Sequence, residues 1–154
     1  MTLENLLLRS LDKWRPASRA SHTVDHPESG WRVTLDAALV DTVGVQLHGL
    51  RVARLHPLES TLSLRDRAEA IARRVSGLLE PLRLIEVDEG RGVAQLRSDA
   101  PAVRDAARRY YELLRRADGA TDLARYEALD GPRQAVPFTL THEALAKLVR
   151  DLAA

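Results

Sequence analysis

His22, Asp25, His26 and Glu28 are the residues whose types and spacing come nearest to a metal site in this sequence. Imidazole and carboxylate groups are good ligands for zinc and similar ions. A His-x-x-x-His pair holds a metal well when both rings project from one helix face. Pro27 and Ser29-Gly30 argue against a helix here, so nothing fixes the geometry, and the plainer reading is a polar loop. His48 and His56 fall on or just after a strand. His142 stands at a helix start, where the dipole disfavours an imidazolium. All three read as structural or surface histidines.

Other chemistry is harder to place. Cysteine is absent, which removes disulfides, thiol nucleophiles and thiolate metal sites together. Gly90 and Gly92 lie in an EGRG turn between strands and do not lead into a helix, so they form no phosphate-cradling loop. The sequence contains neither a G-x-S-x-G elbow nor an H-E-x-x-H pair. Asp88 and Glu89 are neighbours at a turn, whereas paired-carboxylate chemistry needs a set separation across a cleft. The chain does not read as an enzyme, and no cofactor is implied.

The stretch RRYYELLRRADGATDLARY, residues 108–126, raises a different question. Arginines around tyrosines suit a phosphate backbone, but affinity for nucleic acid rests on an excess of positive charge. Residues 101–130 hold six arginines and six acids, residues 1–30 four basic residues and four acids, and residues 31–60 three of each. The whole chain carries a formal charge of +1, with Lys13 and Lys147 its only lysines. A solvated, salt-bridged face is the expectation, and nucleic acid is not the expected partner.

These residues must be held by a fold. The chain has 154 residues, 45% hydrophobic and 29% charged, which suits one domain with its own core, spanning residues 1–154. No apolar run approaches the ~20 residues of a membrane span. No basic n-region precedes the first leucines, so no signal peptide is read, and a cytoplasmic protein is the default. Leu3, Leu6, Leu7, Leu11 and Trp14 form one stripe, which predicts an N-terminal helix over residues 1–15, capped by Thr2 and ended by Pro16. Residues 16–30 show no periodicity and read as a loop or linker. Trp31 to Leu39 alternate as a half-buried strand, and alternation resumes at Val43. It slips by one residue near Gly49, which predicts a β-bulge there. A second helix is expected over 64–79, capped by Ser63. A hairpin follows, with Ile85 opposite Leu96 and Val87 opposite Ala94.

Two readings compete for residues 102–129. Val103, Ala107, Tyr110, Leu114 and Ala117 would make a helix face with Gly119 past its end. Alternatively, Asp118-Gly119 is a two-residue hairpin turn that sets Arg115 opposite Asp122, Leu114 opposite Leu123, Glu112 opposite Arg125 and Tyr111 opposite Tyr126. The hairpin is the expected form. A last helix is read at 142–152, with Thr141 as cap and a staple between Leu140 and Leu145.

The expected fold is α+β. It is a largely antiparallel β-meander sheet carrying an N-terminal, a middle and a C-terminal helix, with residues 31–154 as its body. The order of elements is loosely similar to that of small bacterial secretion chaperones, which are α+β dimers of this size that hold a partner's extended segment. The likeness is one of architecture, and those chaperones are usually acidic, which this chain is not. The leading expectation is a non-catalytic protein-binding or assembly module, chaperone-like in character. It would self-associate or dock a protein partner through Leu3, Leu7, Leu11 and Trp14. Trp31 joins them because tryptophan is enriched at binding hot spots. The alternative is a ligand- or metal-binding domain or hydrolase with its site near His22 and His26, and the third is a nucleic-acid-associated module.

Overall fold

The computed structural model describes residues 1–57, 59–78, 80–98, 102–104 and 107–154. Among them are three helices and ten strands, in the order α1 (Leu3–Lys13), β1 (Ala20–His26), β2 (Trp31–Val40), β3 (Gly44–Arg54), α2 (Leu64–Arg74), β4 (Leu82–Asp88), β5 (Val93–Ser98), β6 (Ala102–Arg104), β7 (Ala107–Arg116), β8 (Thr121–Ala128), β9 (Gln134–Val136), β10 (Phe138–Thr141) and α3 (His142–Leu152). The fold is α+β with an antiparallel sheet. The main path of that sheet runs β1-β2-β3-β8-β7-β5-β4.

Each helix starts where a hydroxyl meets an orphan amide. Thr2, Ser63 and Thr141 accept from the backbone N–H of Asn5, Asp66 and Ala144 respectively. The apolar stripes then pack on the sheet. Helix α1 lies on α3 and β1, α3 on β10 and β3, and α2 on β4, β5 and β7. One continuous core joins Leu3, Leu7 and Leu11 to Val33, Leu35, Leu96, Leu113 and Leu152. Helix α2 is shorter than its apolar spacing suggests. It stops at Arg74, and Val75 caps it through an N–H to the Ile71 carbonyl, with Ser76 and Gly77, both weak helix formers, just beyond. Val75 and Leu78 still enter the core from the non-helical chain, and Leu79 lies outside the described residues.

Residues 16–30 are only partly a loop. Residues 20–26 form β1, paired with β2 along its full length, from Ala20 opposite Ala37 to His26 opposite Trp31. Its inward positions are Ala20, His22, Val24 and His26. Two histidines therefore stand where aliphatic residues would have produced a readable alternation. The turn into β2 closes on Gly30, whose φ of +78° favours glycine.

The bulge expected near Gly49 is present one residue earlier. Asp36 faces Gly49 and Ala37 faces Leu47, leaving His48 unpaired. That bulge marks a fork. Below it, Leu50 to Val52 of β3 pair with Leu123 to Thr121 of β8. Above it the two strands diverge. Strand β9 runs along Arg125 to Glu127 of β8, the chain bends at Pro137, and β10 returns along Leu47 to Gly44 of β3. Both segments are too short for periodicity to announce them.

Two registers differ from those read in sequence. In β4–β5, Val87 faces Ala94 as expected, but Leu84 faces Leu96, and Ile85 is the extra residue of a bulge, 43% exposed. In β7–β8 the loop is three residues, Ala117 to Gly119. Arg116 N–H donates to the Ala120 carbonyl at 2.8 Å, and Gly119 takes φ +96°. This is a turn followed by a left-handed glycine bulge, so every cross-strand pair moves by one. Tyr110 faces Tyr126, Leu113 faces Leu123, Tyr111 faces Arg125 and Arg115 faces Thr121. A one-residue slip sends alternate side chains to the other face. Tyr126 therefore joins Tyr110 on the outer face, away from the helices, while Arg125 joins Tyr111 beneath them.

Candidate functional site

Strand β1 separates the residues that could have formed a metal site. His22 and His26 share its inward side but stand about 13 Å apart along the strand. His22 lies under α1, where it contacts the Ser10 hydroxyl and stacks on Trp14 with ring centres 4.6 Å apart. Burial pushes its pKa below the ordinary histidine value. His26 is buried, and its Nε2 donates to the Met1 carbonyl at 2.8 Å while Nδ1 lies 2.7 Å from the Ser29 hydroxyl oxygen. Asp25 points to the opposite face, where Arg32 donates to both its oxygens at 2.6 and 2.8 Å. Those bonds hold the Asp25 carboxyl below the usual range. Among the described residues no three His, Asp or Glu side chains form a group that could hold a metal.

Glu28 does meet His26, together with Leu3, Ser29, Trp31 and Arg150, around a cleft of about 370 Å³. This cleft lies between the start of α1, the β1–β2 turn and the end of α3. Trp31 is buried in its wall, with the Arg54 guanidinium 5.0 Å from its ring centre. The leucine stripe of α1 is covered from within. Leu3, Leu7 and Leu11 are buried in the chain's own core, where α1 meets α3 and β1, and Trp14 is half-buried against His22. The stripe that looked like a docking face packs within the chain.

The outer sheet face carries a different arrangement, centred on Glu112 of β7. This carboxylate is only 4% exposed. It accepts from both terminal nitrogens of Arg133 and from Gln95 Nε2 at 2.8 Å, and Arg97 Nε lies 3.6 Å away. Burial would raise its pKa, and the hydrogen bonds and charges of these partners more than offset that, so the carboxyl is held below its usual value. Two tyrosines flank it. Arg133 lies over the Tyr126 ring at 3.8 Å and Arg97 over the Tyr110 ring at 5.1 Å, and the two rings sit 6.0 Å apart. Cation–π contacts at such partly exposed positions contribute about 0.5–1 kcal/mol each. Glu112 thus fixes two arginines, and each arginine fixes a tyrosine. A cleft of about 320 Å³ opens beside Tyr110, lined by Ile85, Arg97, Ser98, Arg108 and Ala128 among others.

Several of the surrounding arginines are paired locally. Arg116 and Arg51 both reach Asp122, at 3.0 and 2.8 Å, and Arg109 reaches Glu127 at 2.8 Å. Arg109, Arg116 and Arg125 of the arginine–tyrosine stretch are therefore held in ion pairs. Sequence reasoning missed the Tyr110–Tyr126 pair because it read a two-residue turn. The signal available was Gly119 itself, which also serves a three-residue loop. No helix among the described residues is long and apolar enough to cross a membrane. Comparison with protein-family models, curated proteins and solved structures finds no match for this chain.

Proposed function

We propose that this chain is a non-catalytic protein-binding or assembly module, chaperone-like in holding a segment of a partner against its uncovered sheet face. The observation that carries the reading is the pair of tyrosines stacked under Arg97 and Arg133 around buried Glu112. Tyrosine and arginine dominate binding hot spots. Side chains already locked in place lose little entropy when a partner arrives. The platform's occupant is a polypeptide segment that sets an apolar side chain on Ile85 and Tyr110. Arg97 and Arg108 at the same cleft suit an acidic neighbour in that segment. A photoreactive residue at position 126, introduced in host cells, tests this. Crosslinks to a discrete protein from position 126, and none from exposed Arg73 on α2, are expected. Crosslinks equal at both positions, or absent from 126, would overturn the reading.

A second reading rests on the cleft at His26 and Trp31, whose buried imidazole and indole suit a small organic ligand. A screen of metabolites against tryptophan emission, repeated with His26→Ala, tests it. Quenching that the substitution abolishes favours the small ligand, and emission unchanged by every compound excludes it.

A further inference from the structure

Beneath the sheet, on the side opposite the tyrosine platform, arginines gather with no ion pair to an Asp or Glu side chain among the described residues. Arg115 of β7 points inward and is 3% exposed. Among the described residues its Nη1 donates to the Thr121 hydroxyl at 3.1 Å, and its buried Nε has no partner. Helix α2 lays Arg67 and Arg74 over it. Arg67 Nη1 donates to the Ala117 carbonyl at 3.1 Å, and its own buried Nε is unpartnered. Arg74 reaches the main-chain oxygens of Asp151 and Ala154 at 3.1 and 3.5 Å. Arg54, stacked on Trp31, adds its charge from the end of β3. Among the described residues none of these four makes an ion pair with an Asp or Glu side chain. Other arginines, Arg19, Arg32, Arg51 and Arg133 among them, do.

A buried charge without a counter-ion is a costly thing to fold. Burial first, and then repulsion from Arg67 and Arg74, push the Arg115 guanidinium down to about 10, with Asp118 opposing only in part. The same three side chains, Arg67, Arg74 and Arg115, line a cavity of about 200 Å³ with Ser60, Leu62, Ala70 and Ala154. Three guanidiniums against a dianion leave one positive charge, and against a carboxylate they leave two. Guanidinium forks match phosphate oxygens bidentately. Leu62 and Ala70 offer an apolar wall beside the charge.

We infer that this cavity is a phosphate-binding site in which Arg115, Arg67 and Arg74 receive the phosphate group of a small ligand or the free ion. Filled, it gives Arg115 the counter-ion that the described residues do not supply.

Thermal unfolding and calorimetric titration with inorganic phosphate and with glycerol phosphate, at fixed ionic strength in chloride, test the assignment. Saturable stabilisation by phosphate, absent with acetate, is expected. Arg67 is half-buried and Arg74 exposed on α2, and Arg67→Gln and Arg74→Gln are expected to keep the fold. Each is expected to weaken phosphate by about tenfold or more, the value of one charge-assisted hydrogen bond. Arg115→Met is expected to unfold at a higher temperature than wild type without phosphate and to lose the response to it. Glycerol phosphate binding more tightly than phosphate assigns the site to organic phosphates, and equal affinity assigns it to the free ion. Three results would each overturn the inference: phosphate stabilising no more than chloride, acetate matching it, or an Arg67→Gln response equal to wild type.

Discussion

Replacing Glu112 with glutamine removes one charge from the centre of the outer-face lattice and keeps the side chain's shape. Wild-type Glu112 accepts from Arg133 with both oxygens and from Gln95, with Arg97 at 3.6 Å. Removing one partner of a fully buried pair costs about 3–5 kcal/mol. Here the side chains of Arg133 and Arg97 remain 36% and 40% exposed, so water recovers part of the loss. The expected cost is about 2 kcal/mol, which lowers Tm by about 4–8 °C for a chain of this size. The pH dependence is sharper than the size. A carboxyl whose folded-state pKa is lowered contributes stability that is fully present above its unfolded value, about 4.3, and lost as pH falls through the folded value. Urea unfolding of wild type and Glu112→Gln across a pH series should show the full gap at neutral pH, closing below about pH 4. A gap independent of pH, or a variant as stable as wild type, would refute the claim that Glu112 is an ionised, arginine-held carboxylate.

Three further outcomes follow from the same geometry. Gly119→Ala forces a side chain into φ +96° and should cost about 1–2 kcal/mol in urea unfolding. Leu7→Ala opens a cavity in the core where α1 meets α3 and should cost about 2–5 kcal/mol; an unchanged midpoint with an altered oligomeric state would instead mark the stripe as an interface. His22, whose pKa burial lowers, should titrate below about 6.5 by NMR. The stability it supplies is present above that value and falls away as pH drops through its folded pKa.

The sequence announced whatever rests on a long apolar period or on a cap. Thr2, Ser63 and Thr141 marked three helix starts, and the alternation from Trp31 marked the first long strand. Strand β1 was hidden because His22 and His26 fill its inward positions, and histidine carries no hydropathy signal. Strands β9 and β10 were hidden because three or four residues hold no period, and their place depends on where β3 and β8 part. The end of α2 was misplaced because Val75 and Leu78 stay buried after the helix stops. The tyrosine platform turned on one residue of loop length: Asp118-Gly119 suits a two-residue turn and a three-residue loop equally, and the choice decides which tyrosine meets which. Arg115 could not be seen from sequence, since only the fold reveals that it faces Arg67 and Arg74.

The central claim is that Tyr110 and Tyr126 form a protein-binding face. It is tested most directly by capture from host lysate at moderate salt, with tagged wild type and a Tyr110→Ala, Tyr126→Ala variant side by side. The account predicts a protein recovered with wild type in near-equal amount and depleted by about tenfold or more with the variant, the loss expected when hot-spot side chains are truncated. The same proteins recovered equally by both, with both folded, would contradict it.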